Sequence, residues 1–355
     1  MSHRVCLFGI FDPSYARNRI LKAGFQKNGY TVVECRVDPI RNRGVVKYIA
    51  LYREYRKLRN ETFEYVIVCF PAQSVAVFAR LLFGKRIIVD VFLSLYDAGV
   101  WDRKVYARYG LRALYSWLLD WSSCRIAHWV LLDTDEHIRY FNKTFGVPID
   151  RCIRMWVGAD DSVFYPREHI PEANTFTVHF HGTFIPLHGV RYVIEAAQIL
   201  RDEPILFQIV GSGQEFGMIK KLVKNLDLER TVTLVGKKPM ETIPELLARA
   251  HIALGIFGDT DKTGRIIPNK ACESMAMGKV VITADTPASR ELLEDGNTAV
   301  LVPPADPAAL AAAILDLKAN AAKRNSIAKA GEHLFQSKLS PEHIVGDLVR
   351  SVRGR

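Results

Sequence analysis

A lysine and a glutamate one helical turn apart, Lys270 and Glu273, are the pair in this sequence whose types and spacing fit one chemistry best. An ammonium group meets a phosphate, and a carboxylate accepts hydrogen bonds from sugar hydroxyls. The pair lies in the stretch from Thr263 to Asp285, which begins in a loop containing Gly264. The chain is expected to enter a helix at Pro268, which suits a first helical turn because it lacks the N–H orphaned there. That helix should stop at Gly278, before the apolar run Lys279–Thr283. The free amides and positive dipole end of such a helix favour an anion, and Lys270 in the first turn adds a full charge. The bland reading is a solvated i,i+3 ion pair. The setting between a loop and a buried strand favours a site for a nucleotide sugar instead.

The elements that must hold this stretch can be read from apolar runs. Val5–Ile10, Thr31–Cys35, Tyr65–Phe70, Arg86–Phe92, His128–Leu132 and Cys152–Val157 alternate with helical patterns near Val45–Arg59, Ser74–Phe83 and Lys104–Trp121. Strands that are apolar throughout and alternate with helices imply a parallel sheet covered on both faces. Gly158–Pro166 and the polar stretch Arg167–Asn174 interrupt the pattern. A second series follows, at Phe176–His181, Ile205–Val210, Val232–Val235, Ile252–Ile256, Val280–Thr283 and Ala299–Val302, and ends in the Ala-rich helical stretch Ala308–Ala330 and an amphipathic tail from Pro341 to Val352. The expected organisation is an α/β domain over residues 1–160, a second over 161–340, and a C-terminal helix, 341–355, packing back toward the first. Two doubly wound domains with a cleft between the carboxyl ends of their sheets would bind ligand at those ends.

Composition narrows the class. The chain has 355 residues, 49% of them hydrophobic and 24% charged, as in ordinary globular proteins. Its six cysteines are scattered, with no C-x-x-C pair and no clustering with histidines, which argues for a reducing compartment and against a zinc site. The run Val5–Phe11 is too short for a signal peptide or a membrane span. The net charge is +10, and up to Tyr165 there are 25 Lys and Arg against 16 Asp and Glu, so nearly all of the surplus lies in the first half. No P-loop lysine signature and no G-x-G-x-x-G follows the first strand, which disfavours ATPase and dehydrogenase readings.

The second half resembles the retaining glycosyltransferases of the two-Rossmann-domain GT-B type, specifically glycosyltransferase family 4. The matching pieces, in family order, are Val157–Pro166, His181-Gly-Thr-Phe-Ile-Pro-Leu-His-Gly189, Ile209-Val-Gly-Ser-Gly213, Val232–Gly236, Ala250–Leu254, Pro268-Asn-Lys-Ala-Cys-Glu-Ser-Met-Ala-Met-Gly278 and Arg290-Glu-Leu292. The resemblance implies a donor site formed by Gly182, Thr183, His188, Gly211, Gly213, Ile267, Asn269, Lys270 and Glu273, with Glu273 on the ribose. It implies a nucleotide-diphosphate sugar (UDP- or GDP-sugar) as substrate, no cofactor and no metal. It also implies attack on the donor face, with the leaving phosphate taking the acceptor's proton.

Departures from the family pattern shape the reading. The first of its two glutamates is Arg265 here, its diphosphate Arg and Lys positions are Thr183 and His188, and the histidine after the fourth strand is Phe92. Arg265 and Lys270 are expected to supply the lost charge, because fixed donors must meet the charge growing on a leaving diphosphate. Lys270, Arg265 and Asp90 are the candidates for the chemistry, Asp90 because a carboxylate inside an apolar run must be satisfied or face a ligand. Acceptor-binding candidates in the first half are Asp12, Tyr15, Arg17, Asn18, Ser94, Asp97 and Arg103.

Trp101–Trp121 and Tyr48–Arg59 pair arginines with aromatics, a composition shared by membrane-surface helices and by core-packed helices with solvated arginines. These segments suggest a cytoplasmic protein peripheral on the inner face of an anionic membrane, with no nucleic-acid partner. The expected function is transfer of a sugar to a saccharide or lipid-linked acceptor in cell-envelope glycan synthesis. Alternatives are a catalytically inactive sugar-nucleotide-binding subunit and a nucleotide-sugar epimerase of GT-B shape.

Overall fold

The computed structural model describes residues 3–354. The chain divides into two compact units, one holding the residues up to Asp160 together with those from Ser340 onward, the other Asp161–Leu339. The first unit is built on six parallel strands, β1 (Arg4–Gly9), β2 (Thr31–Arg36), β3 (Tyr65–Val68), β4 (Ile87–Asp90), β5 (Trp129–Leu132) and β6 (Cys152–Arg154), in the order β2-β1-β3-β4-β5-β6. One face carries a core around Phe8, Leu51, Val68, Ala79 and Phe141, the other a core around Leu7, Leu21, Ile67, Ile344 and Leu348. Both faces are therefore covered, as continuous apolar strands require.

The second unit repeats the plan with β7 (Phe176–Thr183), β8 (Ile205–Ser212), β9 (Val232–Gly236), β10 (Ile252–Leu254), β11 (Val281–Ala284) and β12 (Val300–Val302), all parallel, in the order β12-β11-β10-β7-β8-β9. This is the Rossmann order, and its direction reverses between β7 and β10. Beyond the carboxyl ends of those two strands lie the loop from Phe184 to Gly189 and the segment from Gly255 to Lys270.

Three local expectations are corrected. The helix expected over Lys104–Trp121 runs from Leu111 to Ile126. Ahead of it, Ala98–Asp102 forms a π-helical turn, and Tyr106 folds over Gly99 so closely that a Cβ there would lie 2.4 Å from the ring. Pro268 is the extended N-cap of helix Asn269–Ala276 rather than its first helical residue. The Ala-rich stretch is two helices, Pro307–Ala319 and Ala321–Leu334, because Asn320 leaves helical geometry and its side chain accepts the Lys323 N–H at 2.9 Å, capping the second.

The C-terminal helix Pro341–Arg353 belongs to the first unit and packs on helix Ala16–Lys27. Gly24 makes this approach possible, since a Cβ there would lie 2.2 Å from the Pro341 carbonyl oxygen. The contact is closed by Asn28 donating to the Glu342 carbonyl at 2.9 Å and Arg353 to Glu64 at 2.8 Å.

Candidate functional site

Helix Asn269–Ala276 is buried on nearly every side. It ends in Gly278, whose φ of +64° is the left-handed geometry that glycine adopts without strain, and the chain turns from there into β11. Lys270 and Glu273 are only 5% and 7% exposed. They are not a solvated surface pair. The Lys270 Nζ makes no hydrogen bond among the described residues and lies 4.2 Å from the centroid of the Phe180 ring. Burial is the main reason its amine is depressed to about 7, with Glu273 opposing the shift. A buried ammonium without a partner is costly, and an anion at this point would relieve the cost.

The space around Lys270 depends on glycine. Gly182, at φ +152°, is the last residue but one of β7, and a Cβ on it would lie 2.8 Å from Nζ. Gly211, at φ +142°, pairs with Gly182 in register, and a Cβ on it would lie 1.8 Å from the Gly182 carbonyl oxygen. Gly213 backs onto Phe184, whose carbonyl oxygen would be 2.6 Å from a Cβ there. These glycines let the ends of β7 and β8 close up under the lysine.

His188 packs its ring against Phe180 and donates from Nδ1 to the Thr183 carbonyl. Burial first, then the nearby Lys270 charge, pushes its imidazole well below the ordinary value, so it is neutral. It therefore adds no positive charge beside the lysine. Thr183 is exposed, Asn269 half-buried at the helix start and Ile267 buried just before it. Arg265 is half-buried at the end of the short turn Thr263–Arg265, whose first residue is buried beside buried Lys262.

Glu273 is held by a row of polar side chains separate from its pairing with Lys270. Its Oε2 lies 2.8 Å from Nε2 of His181, whose Nδ1 lies 3.1 Å from Nε2 of His179, whose Nδ1 lies 2.7 Å from Oε1 of Gln208. The signal was present in the sequence, since His179 and His181 alternate along β7 and so face the same side of the sheet. His179 and Gln208 are also cross-strand partners.

In the first unit the structure gives most candidates scaffold roles. Asp90, fully buried, is engaged by Arg17 Nε at 3.3 and 3.1 Å and by its terminal nitrogen at 3.1 Å. Arg17 also donates to the carbonyls of Met155 at 2.6 Å and Trp156 at 3.0 Å, and stacks on Phe92 at 4.9 Å. Burial outweighs Arg17 and leaves the Asp90 carboxyl above its usual range. Asn18 donates to the carbonyls of Asp12 and Phe70, both at 3.0 Å, and Asp12 accepts from Ser14. Ser94 caps the short helix holding buried Asp97 and donates to Asp120 at 2.7 Å. Arg103 is exposed, and Tyr15 packs its ring on Phe70 at 5.3 Å.

The arginine-aromatic segments divide. In helix Val46–Lys57, Tyr48 and Tyr55 face inward, donating to the carbonyls of Ser74 and Leu82 and packing on Phe78 and Phe83. Helix Leu111–Ile126 is inverted relative to an ordinary surface helix. Leu111, Leu114, Tyr115 and Leu118, at helical spacing, are exposed, while Ala113, Ser116 and Asp120 are buried. No helix of the described residues is long and apolar enough to cross a membrane.

Comparison with known proteins bears on this arrangement. Residues 164–334 match the family described as glycosyl transferases group 1. The amylovoran biosynthesis glycosyltransferase AmsK of Erwinia amylovora is 36% identical over 134 residues, covering 36% of this chain and 32% of that protein. The putative colanic acid biosynthesis glycosyl transferase WcaI of Escherichia coli is 26% identical over 233 residues, covering 58% of this chain and 55% of that one. The aligned stretch thus spans between a third and about half of these relatives' lengths. The crystal structure of Anabaena HepE in complex with UDP-glucose superposes with a TM-score of 0.75 at 15% identity, covering 99% of this chain and 100% of that one. The architecture is the two-Rossmann-domain GT-B fold. Its second unit carries the match to the glycosyl transferases group 1 family.

Proposed function

We propose that this protein is a retaining, family 4-type glycosyltransferase that moves a sugar from a nucleoside diphosphate to a saccharide or lipid-linked acceptor in cell-envelope glycan synthesis. The observation that carries this reading is the buried Lys270 ammonium, with no hydrogen-bond partner among the described residues, at the mouth of a helix whose next turn presents Glu273. Lys270 takes the diphosphate and Glu273 the ribose hydroxyls, while Arg265 lies on the approach to that helix. As the bond from the sugar's anomeric carbon to the β-phosphate breaks, the charge growing on the phosphate meets Lys270. The acceptor oxygen bonds to the same face of that carbon, and its proton passes to the departing phosphate. The first unit receives the acceptor in this reading, and of its candidates Asp12, Tyr15 and Arg103 are exposed, which supports giving them that contact.

HepE is described in complex with UDP-glucose, which makes UDP-sugars the first donors to try and GDP-sugars the second. The exposed apolar stripe of helix Leu111–Ile126, with Arg103, Lys104, Arg108 and Arg112 beside it in sequence, fits peripheral attachment to an anionic inner membrane face. A second reading, a sugar-nucleotide-binding subunit without activity, draws on Arg265 at the position where the family carries a glutamate. A thermal-shift screen of UDP-, GDP- and ADP-sugars, followed by measurement of free nucleoside diphosphate with and without saccharide or lipid-linked acceptors, separates the two. Acceptor-dependent release supports the transferase; donor binding without release under any acceptor supports the subunit.

A further inference from the structure

We propose that Gln208, His179 and His181 are positioning residues that hold one carboxylate oxygen of Glu273, so that the other is presented to the ribose of the donor. The inference rests on the donor-site reading for the ligand and on geometry for the rest. The row runs Gln208, His179, His181, Glu273 at 2.7, 3.1 and 2.8 Å, and His179, His181 and Glu273 are all buried. Oε2 of Glu273 is committed to this row, while Oε1 has no hydrogen bond among the described residues.

The direction of each hydrogen bond follows from the donor and acceptor inventory. An ionised carboxylate only accepts, so the His181 Nε2 must carry a proton. Burial depresses His179 to about 3, which keeps it neutral and gives it one donor and one acceptor nitrogen. If the Gln208 amide donates to His179 Nδ1, then His179 Nε2 donates to His181 Nδ1, and His181 donates to Glu273 with both rings neutral. As the side chain is placed, Gln208 Oε1 accepts from His179 Nδ1, and His181 must then donate at both nitrogens, which takes one extra proton; the first arrangement has the amide turned over. An amide can supply either partner, so the row can hold Glu273 in both states. The other charged and titratable groups facing this pocket are Lys270, on the same helix as Glu273, and His188 and Lys262 on the adjoining loops.

Gln208→Glu removes this freedom, because an ionised carboxylate at 208 only accepts, so the row can make all three bonds only with one extra proton shared by His179 and His181. In the variant the two rings should then carry three ring protons at low pH and two at high pH, one bond of the row being lost as pH rises, whereas the wild type should hold two ring protons throughout. Nitrogen-15 NMR of histidine-labelled protein reads this without any ligand. A proton on His181 Nε2 in the wild type from pH 6 to 9, and a pH-dependent loss of one ring proton from the His179–His181 pair in Gln208→Glu, are expected. A wild-type His181 with Nε2 unprotonated, or the same pH behaviour in both proteins, overturns the proposal.

The consequence for binding is read with UDP and its 2′,3′-dideoxy analogue. Wild type should prefer UDP by about tenfold or more, and His181→Asn should bring the two dissociation constants together. Unchanged preference in a folded His181→Asn protein counts against the relay. Failure of UDP to bind wild type instead removes the donor reading, and the NMR result alone then decides the relay.

Discussion

Replacing Lys270 by methionine should make the unliganded protein more stable and the diphosphate site useless. In the unfolded chain the amine titrates near 10.5, and in the fold at about 7. Between those values the unfolded state binds more protons, so stability rises with pH across that window. Below about pH 7 both states are protonated and the whole cost is present. At about 1.4 kcal/mol for each tenfold change, lowering 10.5 to about 7 corresponds to roughly 5 kcal/mol. Lys270→Met, close in length and apolar, removes that cost while filling the space over Phe180. Its melting temperature should exceed wild type by the largest margin near pH 6 and by little near pH 10. Binding should move the other way. A hydrogen bond to a charged group is worth about 1.5–3 kcal/mol, so UDP should bind roughly ten to a hundred times more weakly while uridine is unaffected. Because wild-type Lys270 is largely neutral above pH 7, UDP binding at pH 8 should take up close to one proton, measurable by calorimetry in buffers of different ionisation enthalpy. Equal losses for UDP and uridine, or a variant less stable than wild type at pH 6, would refute the assignment.

The other expectations are of the same kind. Glu273→Gln should keep the fold and weaken UDP binding, with little change for 2′,3′-dideoxy-UDP; calorimetry showing equal losses for the two ligands would remove Glu273 from the ribose. Gly182→Ala should place a methyl group within 2.8 Å of the Lys270 Nζ at a φ of +152°, and so cost both thermal stability and UDP affinity; a neutral result would mean the lysine has room to move. Asp90→Ala leaves Arg17 buried without its carboxylate and should destabilise the first unit by about 3–5 kcal/mol in urea titration. Vesicles with anionic lipid should pellet the protein at low salt and neutral vesicles should not, since screening acts over about 8 Å at physiological ionic strength. Converting Arg103, Lys104, Arg108 and Arg112 to Gln should release it; attachment that survives both high salt and those changes would contradict an electrostatic membrane contact.

The strands were legible because a buried parallel strand is apolar along its whole length, and the twelve runs read from the sequence fall on the twelve strands of the two sheets. The helix ahead of Trp121 was misread because Arg and aromatic residues over Lys104–Gly110 look helical in composition. What decides the matter is Tyr106 closing on Gly99, a contact between loops that no periodicity encodes. Lys270 and Glu273 could be picked out by type and spacing. Their burial, the neutrality of His188 and the cradle of Gly182 under the amine depend on strands brought together by the Rossmann order. The histidine row was half visible: the alternation along β7 lies in the sequence, but Gln208 joins it only through the β7–β8 register. Asp90 shows the opposite failure. Its place in an apolar run marked it as a group needing a partner, and the partner is Arg17, itself among the candidates for ligand binding.

A structure of the protein with UDP bound tests the central claim most directly. The account predicts the diphosphate within hydrogen-bond distance of the Lys270 Nζ and the ribose hydroxyls on Glu273 Oε1, with His181 still on Oε2. UDP bound elsewhere, or bound here with Lys270 turned away and Glu273 untouched, would contradict it.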